Sequence, residues 1–157
     1  MGEIKIRKAL AIDLGQLLIF EQCVIKTERP FDPTLKPGPV NYYDLEAMLP
    51  ATNVEVVVAE IDDKIIASGY ARIDRSKSFL KHEKHAYLGF MYVLPAFRGR
   101  GLNKRIIDNL KNWAASQHIN EFRLEVYYDN VAAIKAYEKI GFSRYSLEMR
   151  YNLGDQK

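Results

Sequence analysis

The chain has 157 residues, of which 48% are hydrophobic and 27% are charged. This length and composition are typical of one folded domain, and they exclude a wholly disordered or fibrous chain. The 23 lysines and arginines against 20 aspartates and glutamates leave a net charge of +3, which is too small to predict binding to nucleic acid or to a membrane. We therefore expect a single domain over residues 1–157.

The cysteine content and the first residues bear on where the protein works. Cys23 has no second cysteine with which to form a disulfide, and Met1–Lys5 lacks the apolar run of a secretory signal. No apolar stretch approaches the ~18 residues that a membrane span requires. The sequence favours a cytoplasmic protein that binds no membrane and no nucleic acid, and it leaves a homodimer open.

The first predicted elements are a short strand, two helices and a proline-rich loop. Alternation over Ile4–Arg7 predicts the strand, helical spacing after Asp13 predicts the first helix, and residues 42–49 are expected to form a shorter one. Five of the six prolines lie between residues 30 and 50, so residues 29–40 are expected to form an exposed loop. Loops of this length in compact domains tend to be functional.

Two β-branched runs and an apolar run follow. Residues 54–61 and 64–73 are separated by Asp62-Asp63, which is typical of a hairpin. The run over 87–93 is nearly all apolar, which predicts a strand in the middle of a sheet.

The last third of the chain alternates helix and strand. Leu102–Ala114 has one apolar stripe and predicts an amphipathic helix, and residues 123–127 predict a short strand. Residues 131–140 predict a helix with an asparagine cap before it and a glycine after it, and 142–153 are expected to return as the last strand or strand pair. This order indicates an α/β or α+β sheet with parallel and antiparallel pairs.

The most informative stretch is the turn that joins the apolar strand to the amphipathic helix. Gly99 and Gly101 remove β-carbons where a ligand approaches the backbone, and Arg98 and Arg100 add positive charge. Free N–H groups at a helix N-terminus attract phosphate, so a pyrophosphate is the expected ligand. The turn completes neither a Walker loop nor a GxGxxG pattern. An ordinary tight turn with two solvated arginines is the alternative.

A second group of residues lies on the last helix. Asn130 and Tyr137 are seven residues apart and share one face with Ala133, so this face is small and polar. A core aromatic packed beside Ile134 and Ile140 is the simpler interpretation of Tyr137 alone.

Together the two groups closely resemble the GNAT superfamily of acyl-CoA-dependent N-acetyltransferases, over about residues 54–153. Three residues take the defining places of its phosphate-binding signature: Arg98, Gly101 and Asn103. Asn103 departs from the usual glycine or alanine. The second signature is matched without departure by Asn130, Ala133, Tyr137 and Gly141-Phe142. The resemblance implies a mixed, twisted central sheet of six to seven strands flanked by about four helices.

The resemblance also implies that the chain binds acetyl-CoA or coenzyme A as acyl donor and needs no metal. The pyrophosphate is expected on the N–H groups of residues 98–103, and the pantetheine arm beside residues 91–93, where the strand diverges from 123–127. The expected contacts are Met91, Tyr92, Val93, Arg98, Gly99, Arg100, Gly101, Leu102, Asn103, Asn130, Ala133 and Tyr137.

The implied reaction moves an acetyl group from acetyl-CoA to a primary amine by direct attack on the thioester. A phenol titrates near pH 10, and Tyr137 matches the family's usual general acid toward the leaving sulfur. The general base stays open between Glu125, His85 and a chain of waters. None of the three histidines forms a metal site with the cysteine.

The acceptor is expected to contact residues 28–43, the first two helices and the final strands. Glu28, Asp32, Asp44 and Glu46 are acids that would attract a cationic acceptor. A small molecule, a protein N-terminus and a lysine side chain all stay open.

Two other functions remain as alternatives. One is a catalytically silent module that holds acyl-CoA as a sensor. A weaker one is a nucleic-acid-binding domain that uses the basic residues Arg98, Arg100, Lys104 and Arg105.

Overall fold

Within residues 2–155, which the computed structural model describes, five strands form one sheet in the order β1-β2-β3-β4-β5. The strands are β1 (Lys5–Lys8), β2 (Val54–Ile61), β3 (Lys64–Arg75), β4 (Lys84–Val93) and β5 (Phe122–Arg123). The first four pair antiparallel with their neighbours, and β5 pairs parallel with β4. The mixed sheet is therefore confirmed.

The helices are α1 (Leu14–Glu28), α2 (Leu45–Met48), α3 (Leu102–Ala115) and α4 (Val131–Ile140). The chain divides into two compact units, Met1–Glu125 and Val126–Lys157. Met1 and residues 156–157 fall within the predicted domain of 1–157 but lie outside the described residues. That single domain stays a prediction. None of the helices in the described part combines the length and apolar composition that a membrane crossing needs.

The turn between β2 and β3 is the hairpin turn that the sequence predicts. Asp62 and Asp63 both have positive φ, at 48° and 62°. Two consecutive left-handed residues are typical of the type I′ turn, whose twist matches that of the flanking strands. The hairpin supplies the centre of the sheet.

Alternate residues of the sheet face helices on opposite sides. Val56 and its cross-strand partner Tyr70 pack with Leu17 and Phe20 of α1 in one buried cluster. The next pair along the hairpin, Val57 with Gly69, faces α3. A β-carbon added to Gly69 would lie 2.7 Å from Cγ2 of Ile106, which belongs to α3. Both faces of the sheet are thus covered within the first unit.

The helix α1 begins where the sequence predicts, but Asp13 does not cap it with its side chain. Its carboxylate, 6% exposed, accepts two hydrogen bonds from the Arg7 guanidinium at 2.8 and 3.0 Å and one from the Leu10 N–H at 2.7 Å. The hydrogen bonds from Arg7 hold the pKa of Asp13 below its usual value. Asp13 therefore ties the start of α1 to β1.

The strand count of six to seven is wrong for the described residues, which form five. Residues 142–153, expected to be the last strand or pair, form no strand, and β5 covers only Phe122–Arg123 of the predicted 123–127. A strand needs a hydrogen-bonded neighbour, and the second unit supplies none in its described part. The alternating apolar side chains stay 61–85% exposed: Tyr145, Leu147, Met149, Tyr151 and Leu153.

The proline-rich segment is irregular, as predicted, apart from one 3₁₀ turn at Arg29–Phe31. The Arg29 guanidinium closes the loop by donating hydrogen bonds to the carbonyls of Lys36, at 2.9 Å, and Gly38. Residues 42–44, which the sequence assigned to the second helix, precede α2, and the Asp44 side chain caps it by accepting the Ala47 N–H at 3.2 Å.

Candidate functional site

The glycine-rich turn lies between the end of β4 and the start of α3. A 3₁₀ turn at Pro95–Phe97 leads into Gly99 and Gly101, whose φ angles are 77° and 74°. Only glycine adopts this left-handed conformation without a penalty. A β-carbon on either glycine would meet no described atom within 4 Å. The backbone conformation therefore requires both glycines, and the space above them is open to a ligand.

The N-terminus of α3 offers backbone donors to that space. Gly101 is the N-cap residue and has no side chain to satisfy the N–H groups of the first turn. The Leu102 side chain is 2% exposed, so this residue faces the open side with its backbone alone. Free N–H groups at the positive end of a 14-residue helix bind anions.

Two arginines are held beside the turn by neighbouring groups. Arg98 donates from Nε to the carbonyl of Val93 at 2.9 Å, and its guanidinium lies 5.8 Å from the centre of the Tyr92 ring. The Arg100 guanidinium lies 5.1 Å from the centre of the Phe97 ring. These contacts keep two positive charges next to the open N–H groups.

The other two basic residues near this helix end have partners of their own. Lys104 binds Asp108 one turn later at 2.7 Å, and Arg105 donates to the carbonyl of Ile4 at 3.0 Å. Lys104 is thus paired with an acid. Arg98, Arg100 and Arg105 keep their positive charge, because a carbonyl or an aromatic ring does not neutralise a guanidinium.

The edge of β4 that faces β5 is open over half of its length. Pairing with β5 consists of Ala86 with Phe122 and Tyr87 with Arg123. Beyond Tyr87, β4 continues to Val93 without a strand on that side among the described residues. The pairing of β4 with β5 therefore ends before the stretch that contains Met91, Tyr92 and Val93, and the divergence of the two strands stays a prediction.

The same stretch of β4 contains a β-bulge, which lies in its pairing with β3. Ser68 pairs with Tyr92 and Tyr70 pairs with Gly89, so three steps along β4 match two along β3. Phe90 has a φ of 58°, which is rare for a residue with a side chain. The buried Ser68 hydroxyl donates to the Phe90 carbonyl at 3.0 Å and holds the bulge in place.

The bulge changes which residues of β4 face α1. Phe90 and Tyr92 both join the cluster beside α1, whereas Met91 faces α3, with its Sδ 2.7 Å from a β-carbon placed on Gly69. Residue alternation along β4 gave no sign of this. Isolated glycines inside two strand patterns, Gly69 and Gly89, are the signal that sequence reasoning missed.

Tyrosine rings line the α1 side of the sheet next to the bulge. The Tyr43 ring lies 5.7 Å from Tyr70 and 4.9 Å from Phe90, and Tyr70 lies 6.4 Å from Tyr87. A β-carbon on Gly89 would come within 2.5 Å of the Tyr70 ring, so glycine is required there. We call Tyr43, Tyr70 and Tyr87 the tyrosine wall.

Carboxylates surround the tyrosine wall. Burial raises the pKa of all three phenols, and nearby acids add to the rise: Glu28 and Glu21 at Tyr43, Asp74 and Glu125 at Tyr70, and both Glu125 and Glu28 at Tyr87. Arg72 lowers the pKa of Tyr70 and Tyr87 and so opposes the acids there. The charged groups that act on Tyr43 are acids, so positive charge is favoured most at that end of the wall.

Glu21 fixes the segment that carries Tyr43. Its side chain is fully buried, and Oε2 accepts the backbone N–H groups of Tyr42 and Tyr43 at 2.8 and 2.7 Å. Sequence reasoning missed this residue. The available signal was an acid at helical spacing from Leu17 and Val24 on the apolar side of α1.

The two candidate bases, His85 on β4 and Glu125 after β5, differ in their position relative to Met91. His85 is six residues before Met91, about 20 Å away along an extended strand. Its Nδ1 lies 2.8 Å from Ser76 Oγ, and burial lowers its pKa. Glu125 comes two residues after the pair of Arg123 with Tyr87, and its charge reaches Tyr70 and Tyr87.

The remaining predicted residues lie on α4 in the second unit. Asn130 caps the helix, as predicted, with Oδ1 accepting the Ala133 N–H at 3.2 Å, so this oxygen has a structural role. The half-buried Tyr137 ring lies 5.9 Å from Phe142 in an edge-on arrangement. Gly141 ends the helix with a φ of 123°. The helical boundaries at 131–140 are confirmed.

Comparisons with known proteins agree on one family. A family model described as "Acetyltransferase (GNAT) family" matches residues 24–142. N-alpha-acetyltransferase RimI of Mycobacterium tuberculosis is 34% identical over 84 residues, which are 54% of this chain and 48% of that protein. The alignments span less than half of the first curated relatives, at 30%, 39% and 48% of their lengths.

Solved structures share the fold. A protein of Clostridium acetobutylicum, described as a predicted acetyltransferase with acetyl-CoA, has a TM-score of 0.75 at 21% identity and covers 98% of this chain and 99% of its own. A point mutant of the BH1408 protein of Bacillus halodurans has a TM-score of 0.85 at 17% identity, over 95% of this chain and 99% of its own.

Proposed function

The chain belongs to the GNAT family of acetyltransferases, and from this premise we propose that it transfers the acetyl group of acetyl-CoA to a primary amine. The observation that carries the proposal is the turn before α3, where Gly99 and Gly101 leave uncapped N–H groups open between two arginines. Pyrophosphate is the part of coenzyme A that fits such donors.

The turn and the open edge of β4 suit the two ends of one donor molecule. The pyrophosphate would contact the backbone of residues 98–103, and the pantetheine arm would extend along residues 91–93. Since β4 runs directly into the turn, an extended arm along its edge leads from the pyrophosphate toward the bulge. Asn130, Ala133 and Tyr137 match the family's second signature, and on that ground we propose them as further donor-binding residues.

The acetyl group moves in one displacement. The neutral amine nitrogen attacks the thioester carbonyl carbon, the carbon–sulfur bond breaks, and the acetyl group stays on nitrogen. The Met91 N–H at the bulge polarises the carbonyl, a contribution typically worth about 3 kcal/mol. Tyr137 donates its phenolic proton to the leaving sulfur, and the base accepts one proton from the amine.

Glu125 is the better base of the two side chains. It follows the Arg123–Tyr87 pair by two residues, and its charge raises the pKa of Tyr70 and Tyr87, two rings of the tyrosine wall beside the bulge. His85 lies at the far, paired end of β4 and bonds to Ser76. We therefore assign the amine proton to Glu125, either directly or through one water, and the acceptor to the side of the sheet that carries the tyrosine wall.

Two measurements test this function. Millimolar acetyl-CoA is expected to raise the thermal midpoint of the protein, because a ligand specific for the folded state stabilises it. A free-thiol assay across an amine panel then detects transfer. Absence of stabilisation contradicts donor binding, and stabilisation without thiol release on any amine supports a silent acyl-CoA-binding module instead.

The role of Glu125 has its own test. Glu125→Gln is expected to lower kcat by about 100-fold, the usual range for an acid–base group, and the loss should diminish at high pH, where free amine is abundant. Glu121→Gln, a charge change just before β5, is the control and should leave kcat within about twofold. Equal rates for Glu125→Gln and wild type would remove Glu125 from the mechanism.

A further inference from the structure

Glu28, at the C-terminal end of α1, is a half-buried carboxylate without an ion pair to any described residue. Burial raises its pKa, and the neighbouring Asp32 adds to the rise, whereas the Tyr42 hydroxyl partly offsets it. A carboxylate withdrawn from water beside a second acid gains from a positive partner. Among residues 2–155, no lysine or arginine lies within ion-pair distance of Glu28, so this carboxylate is available to a positively charged group.

Glu28 and Glu125 act on the same phenol from different elements. Each adds to the raised pKa of Tyr87, one from the end of α1 and the other from beyond β5. Arg72 stacks 5.1 Å from the Tyr87 ring and lowers the pKa of that phenol, so it opposes the two glutamates. Both oxygens of Asp74 bind the Arg72 guanidinium, at 2.7 and 3.0 Å, and offset part of its charge.

Glu21 is an independent sign of missing positive charge at this face. Its side chain is fully buried, and Oε1 has no hydrogen-bond partner among the described residues. Glu21 precedes Glu28 by seven residues, so both lie on one face of α1, the face toward Tyr42 and Tyr43. The two N–H groups on Oε2 offset part of the cost of burying this charge, and a cation bound at this face would lower the remaining cost.

We propose that the acceptor amine carries a second cationic group, and that Glu28 binds this group against the tyrosine wall while Glu125 serves the reacting amine. The inference rests on the proposed function. The reacting nitrogen must lose its proton and is neutral when it attacks, so it does not balance two carboxylates. A second ammonium or guanidinium does, and aromatic faces bind such cations well. The substrate class is therefore an amine with another fixed positive charge a few bonds away.

Matched acceptors that differ in this charge test the proposal on the wild-type protein. The first pair of acceptors is butane-1,4-diamine and 4-aminobutan-1-ol, and the second pair is a peptide that begins Ala-Lys and one that begins Ala-norleucine. The first pair tests a free diamine as the substrate, and the second pair tests a peptide. The charged member of at least one pair is expected to have a kcat/KM about tenfold higher. Equal kcat/KM values in both pairs would overturn the proposal.

Glu28→Gln locates the effect. This variant keeps the size of the side chain, and it is expected to remove most of the preference by raising KM more for the charged acceptor than for the uncharged one. Glu3→Gln, which removes an exposed carboxylate just before β1, is the matched control and should keep the preference. A preference that survives Glu28→Gln, or that falls equally in both variants, contradicts the assignment of Glu28.

Failure of this inference differs from failure of the proposed function. If thiol is released with all acceptors at similar kcat/KM, the protein is an acetyltransferase and the second-charge requirement is wrong. If no acceptor releases thiol, the proposed transfer itself is wrong. The thermal midpoint of each variant is measured alongside, so that a folding defect is not read as a change in specificity.

Discussion

Gly101→Ala tests the proposed phosphate site through one methyl group. At a φ of 74°, alanine carries a left-handed penalty of about 1–2 kcal/mol, which should appear as a lower free energy of unfolding. The added β-carbon meets no described atom within 4 Å, so no internal clash enlarges this cost. It does lie on the open side of the turn, where the pyrophosphate is proposed to bind.

The expected effect on binding follows from mass action. Acetyl-CoA at 100 times its Kd stabilises the folded protein by about 2.7 kcal/mol, and a tenfold weaker Kd reduces this to about 1.4 kcal/mol. Gly38→Ala is the matched control, since its φ is 81° and its β-carbon also meets nothing within 4 Å. Both variants should lose similar stability without ligand, but only Gly101→Ala should lose stabilisation by acetyl-CoA.

The assay is chemical denaturation with and without acetyl-CoA, at one fixed ligand concentration for all three proteins. The difference between the two curves gives the stabilisation directly. If Gly101→Ala is stabilised as much as wild type, the turn does not bind the donor and the central assignment of the site is wrong. If Gly38→Ala loses as much stabilisation as Gly101→Ala, the loss reflects the backbone penalty and not the site.

Three further predictions concern proton transfer and pH. Tyr137→Phe is expected to lower kcat about 100-fold in the thiol assay with acetyl-CoA binding unchanged. Asp13→Asn should lower the free energy of unfolding by about 2 kcal/mol at pH 7, because it weakens the charged hydrogen bonds to Arg7. This loss should become smaller below pH ~4, where acid protonates the wild-type carboxylate as well. Burial lowers the pKa of His85, so the folded state resists its protonation. The stability that neutral His85 contributes is therefore lost as pH falls below ~6.5, and His85→Gln should flatten that dependence.

Each of these has a contradicting result. Wild-type turnover by Tyr137→Phe would exclude the phenol as general acid. A cost for Asp13→Asn that is as large at pH 3 as at pH 7 would mean that the ion pair with Arg7 does not carry it. An unchanged slope of stability against pH in His85→Gln would assign the acid sensitivity to other groups.

Local patterns in the sequence predicted most of the regular elements. The apolar spacing that predicts α3 and α4 is a property of each segment alone, and so are the asparagine and glycine that mark the ends of α4. The glycine-rich turn is local as well, and its positive φ angles agree with the sequence argument. Elements that depend on a few neighbouring residues were therefore predicted correctly.

Elements that depend on distant partners were not. Residues 142–153 alternate as a strand should, but a strand forms only against a neighbour, and β5 pairs over just two residues. The tyrosine wall brings Tyr43, Tyr70 and Tyr87 together across the loop before α2 and two strands, and no spacing in the sequence reports such contacts. The sequence thus named acids such as Glu28 for the proposed acceptor side, whereas the grouping of the three rings and the burial of Glu21 appear only in the structure.

The most direct test of the acetyltransferase assignment is to incubate the protein with acetyl-CoA and the charged and uncharged acceptors, and to measure released thiol and acetylated amine by mass spectrometry. We predict equal amounts of thiol and acetylated amine, formed only when protein, donor and amine are all present. Formation of no acetylated product with any amine, in a protein that acetyl-CoA stabilises, would contradict it.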